Sequence, residues 1–143
     1  MKKHYEVIAD TISLCVKYYT PKTFQHCLRV ANYATKNVYL TEEEIQTAFL
    51  IGLCHDLLED TQVSIEEIVE ATELNEGFIK NVLGALTKNK EENYIAYIER
   101  LKSNNSLYPY IVKLADMKDH LMEKDTLTDK LKDKYWEALP YLL

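Results

Sequence analysis

Apolar positions recur three or four residues apart almost throughout the chain, and short polar segments separate the runs, a pattern that predicts helices rather than strands. Capping residues mark several boundaries. Thr20 followed by Pro21 fits an N-cap with proline at the first helical position and predicts a helix from 21 to about 37. Thr41 with Glu44 has the capping-box spacing and opens a helix that carries AFLIGLCHDLLED through residue 60. Ser64 with Glu67 repeats that spacing, so DTQV before it reads as a loop and SIEEIVEAT as a short helix. Further helices are predicted over about 76–87, 91–103, 107–123 and 128–139, with SNNS and KDTLTD as connectors.

Composition agrees with this pattern. Three glycines and three prolines are too few for a fold of many tight turns, and Leu, Glu, Lys and Ala dominate, so the class is all-α. The 143 residues suffice for one core, and neither an internal repeat nor a Gly-, Ser- or Pro-rich linker divides them, so 1–143 reads as a single domain. A formal charge of −6 argues against general attraction to nucleic acid and leaves room for a local basic pocket. Charged residues interrupt every apolar run below membrane-span length, so no membrane partner is expected and a cytoplasmic protein is. Cys15, Cys27 and Cys54 form no C-x-x-C pair and read as buried free thiols. Eleven tyrosines are spread over several helices, which suits core and interface packing, and the apolar end YWEALPYLL needs cover from the core or from a homodimer contact.

The chemistry concentrates in GLCHDLLEDT, residues 52–61. On one continuous helix His55 and Glu59 share a face, with Asp56 and Asp60 one step around. Carboxylates this close raise each other's pKa unless a cation lies between them; the bland alternative is a charge cluster that simply faces water. His55 directly follows an apolar run, His26 lies on an amphipathic helix between Phe24 and Leu28, and Asp116 interrupts YIVKLADM. Imidazole nitrogens with carboxylate oxygens suit a divalent transition metal, Mn²⁺, Fe²⁺ or Zn²⁺, rather than Ca²⁺.

The H…HD…D arrangement of His26, His55, Asp56 and Asp116 resembles the HD-domain metal-dependent phosphohydrolases. CHDLLEDT, LTKNK (86–90), ENY (92–94), VKLAD (112–116) and YWEAL (135–139) look, in order, like segments of the alarmone hydrolases, which remove the 3′-pyrophosphate of guanosine tetra- or pentaphosphate. The resemblance implies a single helical bundle of about seven or eight helices, with those four residues as metal ligands and Mn²⁺ as the first expectation. It implies Glu59 and Asp60 as the catalytic acidic pair that orients or deprotonates the attacking water. It also implies a small-molecule nucleotide substrate, met by Thr87, Lys88 and Tyr135, while Lys22, one helical turn before His26, could face the entering phosphates. The ordinary alternatives are surface roles for the lysines and core packing for Tyr135.

The chain departs from the alarmone pattern in three places. His120 stands where those hydrolases carry asparagine; four residues after Asp116, it could reach the pocket as a donor or an extra ligand, or lie exposed near a helix end. PKTFQHCLRVANYA replaces their PY-x-x-H-P context, and Ile95 replaces an arginine that would face phosphate. The resulting expectation is a nucleotide phosphohydrolase, with guanosine 3′,5′-bis(diphosphate) as one substrate. The alternatives are another nucleotide phosphohydrolase, for example a nucleoside monophosphate phosphatase, and a regulatory module that binds metal or nucleotide without turnover.

Overall fold

The computed structural model describes residues 1–37 and 39–143, and these form nine helices with no strand among them. They are α1 (His4–Tyr18), α2 (Pro21–Ala34), α3 (Glu42–Cys54), α4 (Leu57–Asp60), α5 (Ile65–Thr72), α6 (Glu76–Leu86), α7 (Tyr94–Lys102), α8 (Tyr108–Met122) and α9 (Asp129–Leu142). Side chains cap most of the starts. Thr20, Thr41, Ser64, Asn75, Asn93 and Thr128 each accept a backbone N–H of the first turn, and Thr41 with Glu44 and Ser64 with Glu67 close full capping boxes. The start of α1 at His4 lacks such a signal, because Lys3 makes no side-chain cap.

Three predicted boundaries move for physical reasons: α2 stops at Ala34 rather than near 37, because Thr35 caps its end, its N–H and its hydroxyl both donating to the Asn32 carbonyl. The Asn93 cap delays α7 to Tyr94, and α9 runs through Pro140 to Leu142 because the proline sits in the last turn, where Leu142 is still buried in the core.

The larger correction concerns the motif helix, which is not continuous. It ends at Cys54, turns through His55 and Asp56, and resumes as the single turn α4. A helix end leaves carbonyls without backbone partners. Here the Leu53 carbonyl accepts from Tyr19 Oη at 2.8 Å and from Cys15 Sγ at 3.5 Å, and the Gly52 carbonyl lies 2.7 Å from His55 Nδ1. Side chains thus take over from the helix, and Glu59 and Asp60 sit on a separate turn from His55.

At the centre, α2 packs most extensively on α3 and then on α8. Gly52 permits the first of these contacts. A Cβ placed on it would fall 2.6 Å from Ala31 Cα, so only glycine lets the two backbones approach this closely. Val30, Ala31, Ile51, Leu53, Leu57, Val112 and Met117 fill the core around this crossing. The three cysteines are buried and unpaired. The C-terminal helix is half covered: Tyr135, Ala138 and Leu142 face the core, while Trp136, Tyr141 and Leu143 remain exposed. Among the described residues, no helix is long and apolar enough to cross a membrane.

Candidate metal centre

The α2–α3 and α2–α8 contacts bring His26, His55, Asp56 and Asp116 to one place. His26 Nε2 lies 2.9 Å from Asp116 Oδ1 and 3.7 Å from Asp56 Oδ2. His55 Nε2 lies 3.3 Å from Asp116 Oδ1 and 3.4 Å from Asp56 Oδ1. His26, Asp56 and Asp116 line the floor of a cavity of about 760 Å³, and the buried His55 completes that floor through its contacts with the two aspartates.

Each buried imidazole is oriented through its other nitrogen. His55 Nδ1 faces the Gly52 carbonyl, and His26 Nδ1 lies 2.7 Å from Asp119 Oδ2. Both partners only accept, so Nδ1 carries the hydrogen and Nε2 offers its lone pair when the ring is neutral. Asp119, 1% exposed, is itself held by Arg29, whose Nε and Nη2 donate at 2.7 and 3.0 Å. Asp116 Oδ2 accepts from Lys113 Nζ at 2.8 Å, which leaves Oδ1 facing the imidazoles.

The electrostatics are those of a site that wants positive charge. Burial lowers the His26 pKa, but the Asp116 carboxylate outweighs it and the net displacement is upward. Burial opposes protonation of His55 too, and the Asp56 carboxylate lifts its pKa well above the usual value. Asp116 would be raised by burial, yet Lys113 and the surrounding imidazoles hold it well below the ordinary carboxylate range. Protons or a metal ion can satisfy these carboxylates.

Glu59 and Asp60 line the cavity wall in contact with solvent. They are nevertheless enclosed enough that desolvation, followed by the nearby Asp56 charge, raises both pKa values. Lys22 and Lys88 also line the cavity. Thr87 does not: its hydroxyl donates to the Leu83 carbonyl at 2.8 Å and it serves as the C-cap of α6. Tyr135 lines the cavity too, but it is 5% exposed and His120 stacks on its ring at 5.2 Å and 10°. That face is therefore taken by a protein side chain rather than offered to a base.

Four contributors were not singled out from the sequence: Asp119, Lys113, Tyr94 and Lys134. Asp119 and Lys113 lie three residues either side of Asp116 on α8, so their spacing alone placed them on its face. Tyr94 and Lys134 carried no such signal. Lys134 Nζ sits 4.3 Å from the centre of the Tyr94 ring, bringing α9 against the start of α7.

A sequence profile of the HD domain matches residues 23–121, about two thirds of the chain, including all four residues of the floor. The chain belongs to the HD domain family. A search among curated proteins finds no match. HD domains are in general metal-dependent phosphohydrolases that bind divalent ions. The floor of this HD domain fits such an ion on its own chemistry: His26, His55 and Asp56 bring one donor atom each within 4.8 Å of one another, and both imidazoles present Nε2. The matched region spans α2 to α8, so α1 and α9 lie outside it as flanking helices.

Proposed function

We propose that this HD domain hydrolyses a phosphate or pyrophosphate ester of a nucleotide that carries more than one phosphate group. The observation that carries the reading is the division of the cavity into a donor floor, an acidic wall and a cationic rim. Five basic side chains line it. Arg29 and Lys113 are committed to Asp119 and Asp116, whereas Lys22, Lys88 and Lys134 have no carboxylate within 4.0 Å among the described residues. They come from α2, the loop after α6, and α9, so three separate elements supply uncommitted positive charge to one cavity.

A divalent ion held by His26, His55, Asp56 and Asp116, with Mn²⁺ first and Fe²⁺ next, would supply Lewis acidity to a phosphoryl oxygen and make water a better nucleophile near neutral pH. The protein's own groups do the rest. Glu59 has a raised pKa, so it accepts the proton of the attacking water and remains able to return one to the leaving oxygen. Asp60, raised for the same reason, takes either part from the neighbouring position. Lys22, Lys88 and Lys134 hold the phosphates that do not react. Tyr94, whose buried hydroxyl meets no geometric hydrogen-bond partner among the described residues, borders the cavity beside Lys113 and is a further group a bound oxygen could meet.

Three uncommitted cations favour guanosine tetraphosphate or a comparable polyphosphorylated nucleotide over a nucleoside monophosphate, which would leave most of that charge unmatched. The acidic wall favours turnover over binding alone. A nucleotide panel with Mn²⁺ tests both points. Pyrophosphate released from the 3′ position of guanosine tetraphosphate supports the alarmone assignment, orthophosphate released from a monophosphate replaces it, and binding without any release refutes hydrolysis.

A further inference from the structure

The described residues hold a second triad of potential ligands. His26, Asp116 and His120 also bring one donor atom each within 4.8 Å of one another. This triad shares His26 with the His26, His55 and Asp56 group. His26 Nδ1 is engaged by Asp119, so a single lone pair, on Nε2, serves both groups. One lone pair serves one ion, and the two triads are therefore two halves of one coordination shell.

The position of His120 supports this. Nε2 of His26, His55 and His120 lies 2.9, 3.3 and 3.3 Å from the same atom, Asp116 Oδ1. A histidine merely exposed near a helix end would be free to turn. The His120 ring instead lies between Tyr135, stacked at 5.2 Å and 10°, and His26, tilted at 4.5 Å and 33°. Tyr135 is buried against the core, so it acts as a positioning residue that holds His120 toward the floor.

We propose that His120 is a fifth protein ligand of the metal, making the centre a three-histidine, two-aspartate site of His26, His55, His120, Asp56 and Asp116. The proposal rests on the reading of the floor as a metal centre. On an ion that accepts six ligands, five protein donors would leave room for one more, so the ion would engage either the phosphoryl oxygen or the water, and Glu59 and the lysines would serve the other. That count suits an ion that accepts six ligands, such as Mn²⁺ or Fe²⁺, better than Zn²⁺, whose protein sites are mostly tetrahedral.

Pulsed EPR of the Mn²⁺-loaded wild-type protein counts coordinated imidazole nitrogens directly, and isothermal titration with Mn²⁺ gives affinity and stoichiometry. Three imidazoles and one ion per chain are expected. In His120→Asn the count should fall to two. The Mn²⁺ affinity should fall on the order of tenfold or more, since loss of even an outer-shell partner costs about 10–100-fold. The metal-free melting temperature should stay close to that of the wild type. A wild-type count of two, or a His120→Asn protein that keeps a count of three, overturns the proposal while the four-ligand centre stands. A wild-type protein that binds no Mn²⁺ overturns the proposal and the metal centre together. The wild-type count decides the question even if the variant does not fold.

Discussion

The close approach of α2 and α3 at Gly52 can be tested by one methyl group. In Gly52→Ala the new Cβ meets Ala31 Cα at 2.6 Å, Ala31 N at 3.0 Å and Ala31 Cβ at 3.1 Å. The nearest obstacle is backbone, which cannot rotate away. To reach ordinary carbon contact, the two helices must separate by about 1 Å. Overpacking of this kind costs about 1–3 kcal/mol. At about 3 °C per kcal/mol for a domain of this size, the melting temperature falls by about 3–9 °C. The separation also carries His26, on α2, away from His55 and Asp56, which follow α3. Metal sites tolerate deviations of only about 0.2 Å, so Mn²⁺ affinity should weaken on the order of tenfold or more. Gly84→Ala is the matched control: its Cβ meets nothing within 4 Å, and removing a helical glycine should stabilise by about 0.5–1 kcal/mol. Differential scanning calorimetry and Mn²⁺ titration on both variants give the answer. A Gly52→Ala protein that melts within about 1 °C of wild type and binds Mn²⁺ normally would refute the idea that this contact positions the site.

Asp119→Asn should weaken Mn²⁺ binding by about 10–100-fold through the lost orientation of His26, while Arg29→Ala, one step further out, should cost less; titration calorimetry separates them. Glu59→Gln should keep metal content and lower turnover. Because burial favours the protonated form of Glu59, wild-type activity should decline on the acid side as Glu59 takes up its proton, and that limb should move in the variant. Arg100 donates to Glu92 at 2.7 and 3.0 Å and to the Thr87 carbonyl at 2.9 Å, clamping the loop that carries Lys88. Arg100→Ala should therefore raise KM more than it lowers kcat, at a stability cost of about 1 kcal/mol or less. Arg100 holds the Glu92 pKa below its ordinary 4.5, so that stabilisation is complete above pH 4.5 and disappears as pH falls through the lowered value. Thermal melts at neutral and acid pH should accordingly show the two proteins converging in acid.

The helical class and most helix starts were legible because Thr20, Thr41, Ser64 and their partners write the caps into the local sequence. The grouping of His26, His55 and Asp116 was legible because polar residues interrupt apolar runs at these three positions. The break between α3 and α4 was not, since it depends on Tyr19 and Cys15 reaching the Leu53 carbonyl across more than 30 positions of chain. The same holds for His120: helical spacing brought it near Asp116, but only the packing of Tyr135 from α9 determines which way its ring faces. Lys134 was invisible for the complementary reason. A lysine in a charged helix reads as solvated until the fold shows Tyr94 beneath it and no carboxylate within 4.0 Å among the described residues.

The central claim is that His26, His55, Asp56 and Asp116 hold one catalytic ion. The most direct test is elemental analysis of the purified wild-type and Asp56→Ala proteins after identical Mn²⁺ loading and desalting, with circular dichroism on the same samples. One ion per chain in the wild type and a large loss in Asp56→Ala, with helical signal unchanged, is the predicted result. Full metal content in a folded Asp56→Ala protein would contradict the assignment of the centre.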